Sequence, residues 1–236
     1  VYKKNMIGWL EFHEKGSLCL SIWKRYLIFT IGILVQSAGI ALVVKSLLGT
    51  SPISSLPYVL SLAYPYTLGQ TTFVVNMAFL AGQIVLLRRR FDSIQLFQIP
   101  VTLVFAFFID VSMALFASVV PAWYPAKMAV LLLGAAFVAL GVSLQVIAHV
   151  LMLAGEAIVQ AISQVFHFEF GWVKTAFDCS LVVSAAIFSY TQLGTIEGIR
   201  EGTLISALIT GSIARFFIHH LGRVDAQGNL VFAPHL

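Results

Sequence analysis

Apolar residues run almost unbroken at six places along this chain, and the polar residues gather between those runs. About 20 helical residues cross a ~30 Å hydrocarbon core. Residues 26–44, 71–87, 96–120, 128–148, 173–190 and 203–218 meet or approach that length, so each predicts a transmembrane helix. Two further apolar stretches, 51–64 and 153–166, are too short to cross. They read as half-helices, interfacial segments or re-entrant arms. The pattern divides the chain into an N-terminal cytoplasmic or interfacial segment (1–22), a transmembrane domain (23–221) and a cytoplasmic tail (222–236). In the first segment Trp9, Leu10, Phe12 and Leu18 stand among charges, as in a helix lying flat on a membrane. The predicted fold class is all-α, a polytopic membrane protein with six transmembrane helices.

Composition agrees with the pattern. The 236 residues are 59% hydrophobic and 10% charged, with a mean hydropathy of +0.94. A soluble domain is about 25% charged and has far less apolar surface to hide. That excludes a soluble enzyme, a nucleic-acid binder and a disordered chain, and makes the lipid bilayer the first partner. The net charge of +4 then has to be located before it means anything. With six crossings, Lys3, Lys4, Lys15, Lys24, Arg25, Arg88, Arg89, Arg90, Arg215 and Arg223 share one side, which the positive-inside rule makes cytoplasmic. The opposite side has Lys127 and Arg200, while Lys45 and Lys174 fall at or inside span ends, Lys45 where a lysine snorkels. Eight crossings would put Arg88–Arg90 opposite the basic N-terminus, which the same rule penalises. Trp23, Trp123 and Trp172 sit at span ends, as an aromatic belt requires. The basic balance thus records orientation, with both termini cytoplasmic, and implies no nucleic acid.

Cys19 and Cys179 are too far apart and too differently placed to suggest a disulfide framework or a thiolate metal site. Residues 1–22 lack the continuous apolar stretch of a cleavable signal peptide. Val1 in place of Met marks a start that is processed, truncated or differently numbered.

Sliding the chain on itself by 102 residues pairs Gly32 with Gly134, Gly39 with Gly141 and Gly69 with Gly171. Leu42 then falls on Leu144, Val44 on Val146, Ser61 on Ser163 and Asn76 on Asp178. Self-similarity at a fixed period marks a duplicated unit. Repeat 1 covers about residues 26–120 and repeat 2 about 128–221, each reading as long helix, short segment, long helix, long helix. Three crossings per repeat is odd, so the second repeat is expected upside down relative to the first. Inverted repeats with equivalent broken segments are a recurring plan of secondary transporters, with the site near the midplane.

The stretches GILVQSAGIALVVKSLLGTSPISSLPYVLS and GTIEGIREGTLISALITGSIARFF, and within them Gly49-Thr50-Ser51-Pro52 and Arg200-Glu201-Gly202-Thr203, resemble the bacterial YczE/YitT-type membrane proteins over about residues 26–221. The resemblance implies a five- or six-span protein of a bacterial cytoplasmic (inner) membrane, in a family whose activity is largely uncharacterised.

Candidate ligand groups follow from the cost of polar residues in lipid. Thr50 or Ser51 can cap a helix whose first turn holds Pro52; its free N–H groups, with Ser54 and Ser55, would face an anion or carboxylate. The equivalent start, Ala154-Gly155-Glu156, lacks such caps, so the two places are not chemically equal. Asp110 lies among Phe107, Phe108 and Met113, as a coupling carboxylate or a hydrogen-bonding partner of a neighbouring helix. Glu156 and His149 flank the second break seven residues apart, on one face of a continuous helix, and Glu156 is the foremost titrating candidate. Lys174 and Asp178, spaced i to i+4, can neutralise one another. Glu197, Arg200 and Glu201 form either a gate or a solvated loop, and His219-His220 with Arg223 a helix end without metal-ligand spacing.

No nucleophile elbow, phosphate loop, His-Glu-x-x-His or paired intramembrane carboxylates occur, so no enzymatic activity, cofactor or metal is expected. The leading expectation is a small secondary transporter or carrier for a small solute with a coupling ion. The alternatives are an accessory protein of a membrane-bound biosynthetic or export complex, and the membrane substrate-binding subunit of an ATP-driven importer. Homodimerisation around a pathway is open to a chain this small, without a dimer motif to decide it.

Overall fold

The computed structural model describes residues 22–148, 150–224 and 230–232. Among these residues there are eight α-helices, α1 (Ile22–Lys45), α2 (Pro52–Ala63), α3 (Leu68–Leu87), α4 (Gln98–Leu115), α5 (Tyr124–Ala148), α6 (Ala154–Phe166), α7 (Phe170–Leu193) and α8 (Glu201–Leu221). Short 3-10 turns, Arg88–Arg90 and Ser93–Phe97, join α3 to α4. Within the stretch expected as a tail, β1 (Gly222–Val224) and β2 (Leu230–Phe232) pair antiparallel, with Gly222 opposite Phe232. The expected segment 1–22 falls almost wholly outside the described residues.

Helix ends follow local chemistry. Thr67 accepts from the Gln70 backbone N–H while the Gln70 side chain accepts from the Thr67 N–H, a capping box that starts α3 three residues earlier than the apolar run suggests. Gly194, at φ 71°, ends α7 in the left-handed conformation that glycine adopts without strain. The third run was expected to reach residue 120, but α4 stops at Leu115. Residues 116–120 are largely apolar yet lead into Pro121, before which helices commonly end.

Among the described residues, five helical stretches are long and apolar enough to cross a membrane: Trp23–Lys45, Leu68–Arg90, Ser93–Leu115, Tyr124–Ala148 and Phe170–Leu193. The apolar part of α8 counted with them is shorter, Glu201–Ala214. Large side chains such as Val85, Leu103, Phe107 and Ile187 point outward and exposed from these stretches. Lipid is the solvent in which such a surface is stable, and the chain is an integral membrane protein.

At the centre α1 and α5 cross antiparallel on a seam of glycines. A Cβ at Gly32 would lie 2.9 Å from the Gly141 carbonyl oxygen, and one at Gly39 would lie 2.5 Å from the Val138 nitrogen and 2.8 Å from the Gly134 oxygen. Only residues without side chains let the two backbones come this close. Arg25 Nε donates to the Ala148 carbonyl at 3.0 Å, closing the seam at one end. Phe29, Ile33, Ile40, Phe105, Ile109 and Val138 form the main apolar core around it.

The other helices pack in pairs. Helix α4 packs on α1 and α8 on α5, while α2 packs on α7 and α6 on α3. Each short helix therefore leans on a long helix of the opposite half. The loop after α1 is sewn to the start of α8: Gly202 N–H donates to the Leu48 carbonyl at 2.9 Å, and the Thr50 hydroxyl to the Gly198 carbonyl at 3.2 Å. Ile158, Val159 and Val173, with Phe79 and Phe177, make a smaller apolar cluster where α3, α6 and α7 meet.

Candidate binding site where the short helices meet

The first turns of α2 and α6 abut. Gly155 lies so close against the Ile53 side chain that a Cβ there would overlap it. Neither helix start is capped by a side chain. Ser51 occupies the N-cap position of α2, but its hydroxyl donates to Ser54 Oγ at 2.9 Å, which corrects the expectation of a Thr50 or Ser51 cap. The Thr50 hydroxyl is likewise spent on the Gly198 carbonyl. Pro57, inside α2, has no N–H to offer the Ile53 carbonyl one turn earlier. A helix start leaves its first N–H groups without an intrahelical partner; in α2, Pro52 has none to leave and the Ser54 N–H donates to the Ser51 carbonyl at 3.0 Å.

Two cavities flank the junction and share Gln36, Leu153 and Glu156. The smaller, about 30 Å³, is polar on one side through Ser54, Thr72 and Asn76. The larger, about 170 Å³, has apolar walls that include Val142, Val146, Leu151 and Met152. That is below the roughly 300–1,000 Å³ of a pocket for a drug-sized ligand, so whatever fits is small. Gln145 Nε2 donates to Gln36 Oε1 at 2.6 Å across the glycine seam, and both amides are buried. Each amide keeps one polar atom free of any protein hydrogen bond, a donor on Gln36 and an acceptor on Gln145.

Glu156 is the carboxylate common to both cavities. It stands in the first turn of α6, where the helix dipole favours a negative charge. Lys174 Nζ donates to Asp178 Oδ1 at 2.8 Å on α7, and the charges of both reach Glu156. Among the described residues only Lys174–Asp178 and Arg200–Glu201 lie within ion-pair distance, so Glu156 has no direct cationic partner there.

The remaining sequence candidates lie elsewhere. Asp110 accepts from Thr67 Oγ at 2.6 Å and from the Gly69 N–H at 2.7 Å, so it clamps the end of α4 onto the start of α3. Arg200, just before α8, and Glu201, its first residue, pair loosely at 3.7 Å with both side chains exposed. His149 lies outside the described residues. Gln36, Gln145, Thr72 and Asn76 line the junction but were not singled out, although a neutral amide within an apolar run is itself the signal for a buried polar site. Asp110→Ala would orphan the Thr67 hydroxyl and the Gly69 N–H. It is expected to cost about 1–3 kcal/mol, read as a lowered thermal unfolding midpoint of the detergent-purified protein.

The chain belongs to the Family of unknown function (DUF6198), whose model matches residues 23–219. No curated protein and no solved structure matches it.

Proposed function

We propose that this DUF6198 member is a small secondary carrier without enzymatic activity, built as two inverted three-helix repeats that cross the membrane six times. The solute and a coupling ion bind where α2 and α6 meet, with Glu156 as the titrating group. The observation that carries this reading is the contact of Ile53 with Gly155, residues 102 apart, which is the offset that aligns the two halves. Equivalent residues touch one another only on a two-fold axis. The same offset turns the Gly32–Gly141 contact into Gly134–Gly39, and exchanges α1·α4 with α5·α8 and α2·α7 with α6·α3. Ser54 and Glu156, also 102 apart, face the same cavity. Discontinuous helices meeting at such an axis are the usual setting of a carrier site.

In this reading α2 and α6 re-enter from opposite sides, and both termini and Arg88–Arg90 are cytoplasmic, in the inner membrane of a bacterium. The resemblance to YczE/YitT-type proteins fits the same plan.

The test is flux. Proteoliposomes holding the purified chain are screened with small amines, amino acids and organic acids under an imposed proton or sodium gradient. At least one solute class is expected to move in proportion to the gradient. No movement across the panel, together with a specific membrane complex co-purifying with the chain, would instead support the accessory-protein role.

A further inference from the structure

The two halves differ at one seam. In the first half α3 packs along α4, with Gly69 against the Ala106 carbonyl and Asp110 latched to Thr67. In the second half α7 does not pack along α8 in that way. The result is an inversion of burial at equivalent positions. Thr102 is 0% exposed and Leu204 70%; Ala106 is 5% exposed and Leu208 76%. Phe105 and Ile109 are buried, whereas Ala207 and Gly211 are exposed. A Cβ at Gly171, the counterpart of Gly69, would meet nothing nearer than the Glu169 carboxylate at 3.9 Å, and one at Gly211 would meet nothing within 4 Å.

The latch also has a counterpart, with its roles exchanged. Thr67 corresponds to Glu169 and Asp110 to Ser212, so a hydroxyl donating to a carboxylate in one half becomes a carboxylate opposite a hydroxyl in the other. Here the two are apart: Ser212 donates to the Leu208 carbonyl of its own helix, and Glu169 stands at the start of α7 without capping it. Lipid alone has no use for a glycine inside α8, where it only weakens the helix. Small residues on an exposed face suit the close approach of another helix.

We infer that the exposed face of α8, from Leu204 to Ser212, is the landing surface for the first turn of α7, in a second arrangement in which Ser212 donates to Glu169 and the Thr67–Asp110 latch is open. The inference rests on the repeat reading above and goes beyond it by naming which seam closes and which opens. The occupant is α7 itself, because the equivalent surface of α4 is covered by the equivalent turn of α3.

The test uses the full chain with Cys19 and Cys179 changed to Ser, carrying either the pair Glu169→Cys and Ser212→Cys or the pair Thr67→Cys and Asp110→Cys. Each is reconstituted and oxidised with copper phenanthroline. Both pairs are expected to form disulfides within one chain, and each linked protein to lose solute flux at least tenfold until a reductant is added. A Glu169/Ser212 pair that stays reduced while the Thr67/Asp110 pair links, or that links only between two chains, overturns the inference; the latter result would make this face a homodimer contact. Gly171→Leu provides a second reading, with wild-type thermal stability but lost flux expected, and unchanged flux contradicting closure. If the unmodified chain moves no solute, linking within one chain still supports the closure and only the carrier reading fails.

Discussion

Glu156→Gln is expected to leave the purified protein folded and monodisperse while lowering gradient-driven flux at least tenfold, equivalent to about 1.4 kcal/mol or more. Glutamine keeps the size and hydrogen-bonding reach of the side chain but cannot take up or release a proton. The other two charges near the junction, Lys174 and Asp178, already neutralise each other at 2.8 Å. That leaves Glu156 as the carboxylate whose charge depends on what enters the cavities it lines. Glu156→Asp keeps the titration and moves the carboxylate back by one methylene, so partial flux is expected from it. Equal flux from the wild type and the Gln variant, measured at the same protein-to-lipid ratio, would make Glu156 a structural first-turn acid and remove it from the site.

Gly39→Leu is expected to abolish the folded protein. The atoms nearest a Cβ at Gly39 include the Val138 nitrogen at 2.5 Å and the Gly134 oxygen at 2.8 Å. Two of its close neighbours are backbone, so no rotamer change relieves the clash, and α1 and α5 have to separate. Alanine at this position is expected to cost about 1–3 kcal/mol as overpacking, and leucine more than a marginally stable fold has to spare. The measurement is the yield of monodisperse protein in detergent and its unfolding midpoint. Gly211→Leu is the control, because a Cβ there meets open space. A Gly39→Leu protein as stable as the control would mean that the seam is looser than these distances state.

Much of this architecture was legible because bilayer thickness imposes a length on apolar runs. The run at residues 128–148 became Tyr124–Ala148, and the two short stretches became Pro52–Ala63 and Ala154–Phe166. Gly49, Pro52 and Gly155 announce the breaks chemically, since each removes a side chain or an N–H. Contacts that join distant parts of the chain were less legible. Gln36 and Gln145 are 109 residues apart, and each alone is one amide in an apolar run; only the antiparallel crossing makes them a pair. Asp110 was partly legible: its place among phenylalanines left open a coupling carboxylate or a hydrogen bond to a neighbouring helix, and the structure holds the second, because the start of α3 arrives beside it with a hydroxyl and an N–H. Glu156 stands out in the sequence because the repeat offset sets it opposite Ser54. The difference between the halves at Leu204–Ser212 was out of reach, because the exchange of large and small residues there, such as Phe105 for Ala207 and Ala106 for Leu208, does not say which neighbour covers which face.

The glycine seam between α1 and α5 has a mechanical consequence. Interlocking side chains behave like gear teeth, and two helices so engaged shift only by discrete jumps. The glycine seam has fewer such teeth, but the Gln36–Gln145 and Arg25–Ala148 hydrogen bonds cross it, so a swivel of one half against the other has to exchange those bonds. Gln36 sits between Gly32 and Gly39, on the seam itself, and it also lines both cavities. Points on an axle turn but hardly travel. In the carrier reading proposed above, cargo held beside Gln36 stays in place while the outer rims of the two halves sweep past it.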